Sequence, residues 1–502
     1  MALLLSPFPF LLPVLALLSA LLLAGRKARG STAAWKLPPG PAKLPLIGNL
    51  HSLGSKVLHQ SLWELSKKHG PLVHLKLGRV PVVVVSSPEL AKEVLKTHDH
   101  ECCTRPSHIS TDKFSYGRSD IALMPYGDRW RQLRKFCTVE FFSAKKINSF
   151  KGVREQETER TVKLICFHAR QSLVVNLSEL LLSLSCNITC RTAFGSRIDG
   201  GGDIHDILRE AQALLTAFFV SDYFPLLGWV DALRGMKARL NRIFLKFDGI
   251  YQRVIDDHID RMKQQRNGDE DILEALLRMQ KAGEDITEDN IKGLLTNIFI
   301  GGTDTSSATV VWAMAELIRQ PEMMKRTQDE VRGCVGSKGK VEESDLHQLH
   351  YLKCVIKETM RLHPPAPLML PRETMRTIEL NGCIIPPKTM IYVNAWAIGR
   401  DPNSWERPDI FNPERFMHGS SDTKGQDFKF IPFGEGRRIC PGKNLGMLVV
   451  EIVLANLLYS FNWHLPLGLT KEDVDMEEAP GITVHRKSAL CLMATEYEGK
   501  EE

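Results

Sequence analysis

Apolar and polar positions along the 502-residue chain change period several times, and each change marks an element. Between residues 2 and 25 no side chain is charged. As a helix that run measures about 36 Å, enough to cross a hydrocarbon core of about 30 Å. Pro7, Pro9 and Pro13 weaken its first half, and a cleaved signal peptide fits less well because no basic residue precedes the run. Arg26, Lys27 and Arg29 follow, and a positive flank stays cytosolic, so residues 1–25 predict an anchor with the rest of the chain in the cytosol. Residues 26–43, basic and then rich in proline at Pro38, Pro39 and Pro41, predict a stiff extended spacer before a folded unit, 44–502. Within that unit Leu58–His69 has a helical period closed by Gly70, and residues 71–86 predict a strand pair with a β-branched run at 82–85. Ser87-Pro88-Glu89 opens a further helix, and residues 144–331 are helical with short loops. Thr287 can cap a helix that reaches Gln320 before Pro321 stops it, about 50 Å long. Residues 444–461 predict another apolar helix. Helix dominates, with a minor sheet.

Composition changes this picture little. Apolar content of 43% and charge of 25% are those of a folded globular protein. The net charge of +6 comes from basic residues dispersed among acids, which argues against a nucleic-acid partner. Eleven cysteines follow no regular framework, so mostly reduced thiols in a reducing compartment are expected, and Cys186 with Cys190 lacks two further ligands for zinc. Asn176 and Asn187 fit the glycosylation pattern, but the cytosolic placement predicts both unused.

The candidate chemistry is concentrated at residues 432–442, where three glycines and two prolines in eleven residues exclude a helix or central strand and predict a tight loop presenting Cys440. Pro441 precedes the apolar helix, so the thiol stands at a helix N-terminus, where the dipole, free N–H groups and nearby Arg437 and Arg438 should favour the thiolate. A metal ligand, a nucleophile and a merely buried thiol are all open on that basis. Phe433, Gly436, Arg438, Cys440 and Gly442 fit Phe-x-x-Gly-x-Arg-x-Cys-x-Gly, and here the chain resembles the cytochrome P450 superfamily, the haem-thiolate monooxygenases. The resemblance implies a Cys440 thiolate on haem iron, with Phe433, Arg438 and Gly442 in the cofactor-binding loop.

Other motifs carry the same resemblance. Trp130 and Arg134 share a helical face; alone they suit an amphipathic surface turn, whereas the family's Trp-x-x-x-Arg directs both at a haem propionate. Arg131 and Lys135 then face elsewhere and suit either solvent or an acidic electron donor. Gly301-Gly302-Thr303-Asp304-Thr305 interrupts the long helix with two glycines, each costing about 1 kcal/mol relative to alanine. Helix packing is one explanation; the family's Ala/Gly-Gly-x-Asp/Glu-Thr, where a distorted turn makes room for bound oxygen, is the other. It implies catalytic roles for Thr305 as a hydrogen-bonding group and Asp304 as a proton relay, with Gly301 enlarging the cavity. Glu358 and Arg361 resemble Glu-x-x-Arg, completed by Arg415 in Pro-Glu-Arg-Phe, a structural network. Residues 364–372 predict an apolar strand that by resemblance puts Arg372 on a propionate and Ala366, Leu368 and Leu370 toward substrate, while Ile482 belongs to a turn closing the pocket. Residues 218–230, aromatic and leucine-rich, suit a channel wall, a membrane contact or plain packing, and together with the proline-rich spacer resemble plant microsomal A-type members, family 71 and its relatives.

The expectation is therefore a mainly α haem-thiolate fold with a small β-rich part behind one transmembrane helix. The resemblance implies haem b (iron protoporphyrin IX), O2, a lipophilic small-molecule substrate such as a terpenoid, phenylpropanoid or alkaloid, and membrane lipid. Electrons would come from NADPH through NADPH-cytochrome P450 reductase, since the chain has no flavin, iron-sulfur or nicotinamide motif, with the catalytic domain on the cytosolic face of the endoplasmic reticulum. The rivals are a reductase-independent isomerase or lyase acting on a hydroperoxide, and a non-catalytic haem sensor or carrier; neither needs the proton relay that Asp304 and Thr305 suggest.

Overall fold

The computed structural model describes residues 36–54, 57–197, 201–263, 270–417 and 427–498. The anchor expected at 1–25 and the basic part of the spacer lie outside them. The longer helices are α1 (Leu58–His69), α2 (Asp128–Glu140), α3 (Lys151–Arg170), α4 (Leu177–Phe194), α5 (Met236–Lys263), α6 (Glu288–Arg319), α7 (Pro321–Val335), α8 (His350–Leu362) and α9 (Lys443–Ser460). The strands are β1 (Leu72–Leu77), β2 (Val80–Val85), β3 (Val175–Asn176), β4 (Arg372–Glu373), β5 (Ile378–Leu380), β6 (Cys383–Ile385), β7 (Met390–Val393), β8 (Phe461–His464) and β9 (Cys491–Glu496). A four-stranded sheet has the order β1-β2-β7-β4, a smaller one β3-β9-β8, and β5 with β6 forms a hairpin.

Local signals placed many of these elements where the pattern expected them. α1 ends at Gly70, whose φ of 99° suits glycine. β1 and β2 pair antiparallel, Leu72 opposite Val85. Period-2 alternation sends Val82 and Val84 to a cluster with Leu62 and Leu65 of α1, and Val83 and Val85 to one with Leu95, Ile391 and Ile431 on the other face. The prolines at 38–41 stiffen a segment that is also docked: the His74 N–H donates to the Pro39 carbonyl at 2.8 Å, and Asn49 Nδ2 to those of Pro41 and Ala42 at 3.1 Å.

α6 is the axis of the molecule. Thr287 accepts from the Asn290 N–H at 3.2 Å and the Asn290 side chain accepts from the Thr287 N–H, a reciprocal cap that fixes where the helix begins. Its second half is buried almost without interruption from Ser306 to Ile318, packed against α4, α8 and α9. Those helices share the largest apolar cluster, whereas the first half of α6 faces a second cluster with α2, α4 and α5. α9 is apolar enough to cross a membrane by composition, but Val449 through Tyr459 are buried in that core.

Residues 364–372 depart from the expected strand. Only Arg372 and Glu373 are extended into β4, and before them the Met369 N–H donates to the Ala366 carbonyl at 3.0 Å with Met369 at a φ of 54°. Two prolines at 364–365 and a third at 367 remove the donors a strand would need. The turn breaks the alternation, with consequences for the pocket.

Candidate functional site

The loop at 432–442 folds back on itself because its glycines permit it. Gly434 and Gly436 have φ of 67° and 75°, and a Cβ on Gly436 would lie 2.2 Å from the Leu95 carbonyl oxygen. Cys440 is held by its N–H donating to the Phe433 carbonyl at 2.9 Å, and its thiol lines a cavity between this loop, α6 and the sheet. Its surface is exposed, but to the cavity.

The sequence expectation that Arg437 and Arg438 act on this thiol is corrected by their positions. Arg437 donates to Asp99 at 2.9 Å, and Arg438 to the carbonyls of Cys103, Ile121 and Met124 at 2.8, 3.1 and 2.6 Å. Burial pushes the Cys440 thiol up, opposed by the N–H groups of Gly442 and Lys443 and by the positive charges of Arg134 and Lys443. A bound metal cation would reverse that balance, because a coordinating thiol is deprotonated outright.

Arg105, Arg134, Arg372 and Arg438 all line the cavity. Arg372 has an ion pair, with Asp99 at 2.6 Å. The other three donate to carbonyl oxygens: Arg105 to Ala122, Leu370 and Pro371, Arg134 to Ile439, and Arg438 as above. None of these three has a carboxylate ion-pair partner among the described residues. Burial pulls Arg438 down to about 9 and Arg105 well below the usual arginine range. A wall with that surplus of buried positive charge fits a ligand bearing carboxylates, and with a thiol opposite α6 the residues fit a haem. Trp130 has a different position from the one its resemblance implied. It does not line the cavity; its Nε1–H donates to the Ile121 carbonyl at 2.9 Å and its ring supports the Arg438 guanidinium at 4.2 Å.

On α6 the two glycines serve different ends. A Cβ on Gly301 would meet nothing within 4 Å and faces the cavity, whereas one on Gly302 would come 3.0 Å from Thr189 Oγ1 of α4. The helix continues as α-helix through this turn, so the expected distortion is replaced by open space and close packing. Thr305 lines the cavity and donates to the Gly301 carbonyl at 2.7 Å. Asp304, about 100° away around the helix, does not line the cavity. Its Oδ1 accepts from His485 Nε2 at 2.9 Å, and its Oδ2 is buried with no hydrogen-bond partner among the described residues.

Ala366 and Leu370 line the cavity, while Leu368 does not: the turn at 366–369 sends it under the sheet with Leu62, Val82 and Met390. Ile482 is likewise off the wall. Its turn braces the wall from behind, with the Val484 N–H donating to the Pro365 carbonyl at 2.9 Å and Trp312 Nε1 donating to the Val484 carbonyl at 3.0 Å. No residue of 218–230 lines the cavity; Leu226, Trp229 and the following Leu233 are exposed. Glu358, Arg361 and Arg415 meet in one buried network, discussed below. Sequence reasoning missed Arg105 and His485, which stand in no motif, and a latch in which Asn297 of α6 donates to Asp120 at 2.6 Å and accepts from the Ala122 N–H at 3.2 Å.

Fold and site together define the haem-thiolate class. The chain belongs to the cytochrome P450 family, whose model, described as Cytochrome P450, matches residues 38–493. It is a cytochrome P450 monooxygenase, and its cofactor by family is haem. Similar relatives include cytochrome P450 71A9 of Glycine max, 50% identical over 92% of this chain and 93% of the relative. Strychnine-11-hydroxylase of Strychnos nux-vomica is 47% identical over 94% of each chain. A zebra fish cytochrome P450 solved with progesterone superposes with a TM-score of 0.75 at 26% identity, covering 88% of this chain and 99% of that one.

Proposed function

We propose that this monooxygenase hydroxylates a lipophilic plant specialised metabolite, with O2 as oxidant and electrons from NADPH delivered by a membrane-bound flavoprotein reductase. The observation that carries the reading is that Cys440 and Thr305 line one apolar-walled cavity from opposite elements, the loop before α9 and the middle of α6. Haem b, when bound, supplies oxygen activation. Cys440 would hold its iron by the thiolate, with the N–H groups of Gly442 and Lys443 supporting the negative charge at Sγ. Arg105, Arg134, Arg372 and Arg438 would hold its carboxylates, Trp130 by supporting Arg438, and Phe433 and Gly442 would shape the wall beside the thiol. Gly301, Ala366 and Leu370 leave an apolar space that excludes water and orients a substrate by shape. The Thr305 hydroxyl, anchored on the Gly301 carbonyl, holds hydrogen-bonding capacity at the cavity edge, and Asp304 behind it supplies protons. The relative named for acting on strychnine makes a polycyclic alkaloid one fitting substrate class.

Thr305→Ala tests the reading. The variant is expected to oxidise NADPH while releasing hydrogen peroxide, with product per NADPH falling on the order of tenfold or more, as loss of a positioned proton donor implies. Unchanged coupling would overturn the assigned role, and NADPH-independent turnover of the wild type would favour an isomerase.

The domain boundaries at 25 and 43 and the endoplasmic reticulum membrane belong to the same proposal. Leu226 is 92% exposed, Leu233 77% and Trp229 59%, and this apolar surface adjoins the β1–β2 turn, where the Arg79 N–H donates to the Tyr223 carbonyl at 3.2 Å. The same turn holds Ile47, so the chain enters the domain on this side: the Gly78 N–H donates to the Ile47 carbonyl at 3.1 Å. Deleting residues 2–25 is expected to release the protein from carbonate-washed microsomes while haem incorporation persists. Retention in the pellet would show that the apolar surface alone suffices as anchor.

A further inference from the structure

Asp304 has a partner 181 residues away in sequence that no motif predicts. His485 Nε2 lies 2.9 Å from Asp304 Oδ1, and the two side chains differ sharply in their access to water: 6% of Asp304 is exposed against 37% of His485. Among the described residues the acid therefore has one titratable hydrogen-bond partner, and that partner is the more exposed of the two. The unpartnered, buried Asp304 Oδ2 is a costly arrangement that a structural acid would not need. Other charges around the pair are engaged elsewhere. Glu478 binds His59, Gln60 and Trp396; Arg486 donates to the Asp475 carbonyl; Lys487 pairs with Glu477; and Asp475 accepts from Ser488. On α6 itself the nearest charged groups, Glu316 bound to His363 and Lys292 bound to Asp248 and Glu288, each lie about 18 Å along the helix axis. On α4, packed against this part of α6, the side chains facing the cavity are Ser185, Ile188, Thr189 and Thr192, none of them charged.

We propose that His485 is the proton-loading partner of Asp304, a positioning residue that acts through it and makes coupling depend on pH. This rests on the reading of Asp304 and Thr305 given above. In the resting pair an imidazolium faces a carboxylate. His485 Nε2 passes its proton to Oδ1, leaving a neutral ring that keeps its Nδ1 proton and a neutral carboxylic acid. The acid turns about its Cα–Cβ and Cβ–Cγ bonds and yields that proton toward Thr305 and the cavity, becoming a carboxylate again. The ring regains a proton at Nε2 from water, and the ion pair re-forms; one proton has crossed from solvent and no electron has moved. Burial disfavours the imidazolium, but the charge and hydrogen bond of Asp304 more than offset it, so the ring stands above the usual histidine value. Loading is present below that raised value and lost as pH rises through it.

The test compares wild type, His485→Gln, Asp304→Asn and Thr305→Ala holoenzymes, each first checked for an intact ferrous carbon monoxide band. Glutamine retains a donor toward Asp304, so a merely structural role would survive the first substitution. In wild type the hydrogen peroxide released per NADPH should stay flat at low pH and climb with a single step on the alkaline side. In His485→Gln product per NADPH should fall on the order of tenfold at every pH with no step, less than the hundredfold or more of a directly acting acid. A readout independent of turnover is the titration of histidine ring carbons by NMR in the diamagnetic ferrous carbon monoxide complex. The resonance missing from His485→Gln should titrate above 6.5 in wild type and lower in Asp304→Asn. A normal midpoint unmoved by Asp304→Asn overturns the proposal whatever the variants' activity. Wild-type coupling in His485→Gln with uncoupled Asp304→Asn and Thr305→Ala overturns it and leaves the relay standing. Full coupling in all three overturns both.

Discussion

Cys440→Ser is expected to abolish the long-wavelength Soret band of the ferrous carbon monoxide complex and to reduce product formation to background. The effect is large because the substitution removes the one side chain on this loop that can offer a soft anionic donor. A serine hydroxyl is a hard, neutral and far less acidic group, and the N–H groups of Gly442 and Lys443 that favour charge at Sγ cannot ionise it. Volume barely changes and Pro441 and Gly442 are untouched, so the loop should keep its conformation and the protein should still fold. Difference spectroscopy of the reduced complex decides the matter: a wild-type band in the serine variant would remove Cys440 from the iron and with it the proposed site.

Glu358→Ala should be the most damaging single substitution for stability. Glu358 is fully buried and accepts from Arg361 Nε at 2.7 Å and Nη2 at 2.8 Å, from Arg415 Nε at 3.1 Å, and from the Asn412 N–H at 2.7 Å. Arg361 is equally buried and also donates to the carbonyls of Gly399, Pro408 and Ile410, stitching α8 to the segment before the haem-thiolate loop. Removing the carboxylate leaves two guanidiniums with no counter-charge among the described residues, a loss of about 3–5 kcal/mol where whole domains are stable by about 5–15. The variant is expected to accumulate as haem-free, protease-sensitive protein. Glu358→Gln, which keeps volume and an acceptor, should lose less. A melting temperature within a few degrees of wild type for the alanine variant would show that the network contributes little.

Arg131 and Lys135 suited either solvent or an acidic electron donor. Both are exposed on α2, on the side of the helix away from Trp130, although Arg131 is partly engaged by Asp128. The reductase assignment is thus a matter for reconstitution, in which charge reversal at Lys135 would raise the KM for reductase without changing the carbon monoxide spectrum.

How far the chain declared itself depends on the range of the interaction involved. The extents of α1 and of the β1–β2 hairpin and the cap at Thr287 were legible because each is decided by a few neighbouring residues: a period, a glycine, a side-chain oxygen three positions from an N–H. The loop at 432–442 was legible for the same reason, since glycine and proline spacing dictates its turns. Side-chain direction failed wherever regular structure failed. Resemblance to the family implied that Leu368 faces substrate with Ala366 and Leu370, but a turn with Met369 in the left-handed region broke the strand and carried Leu368 under the sheet.

Partnership was the other limit. Sequence motifs could say that Asp304 is an acid beside Thr305 and that Arg438 is a cation near Cys440. They could not say that Asp304 turns to His485, that Arg438 lies on Trp130 and binds three carbonyls, or that Arg105 reaches Leu370 and Pro371 from far along the chain. By itself the sequence determined which groups are available, a thiol in a glycine-rich loop, a hydroxyl and an acid on a long helix, and the helices that carry them. Tertiary structure alone decided which of those groups share a cavity and which are neutralised. Charge pairing and burial depend on distance in space, and a partner chosen across 181 residues leaves no periodicity to read.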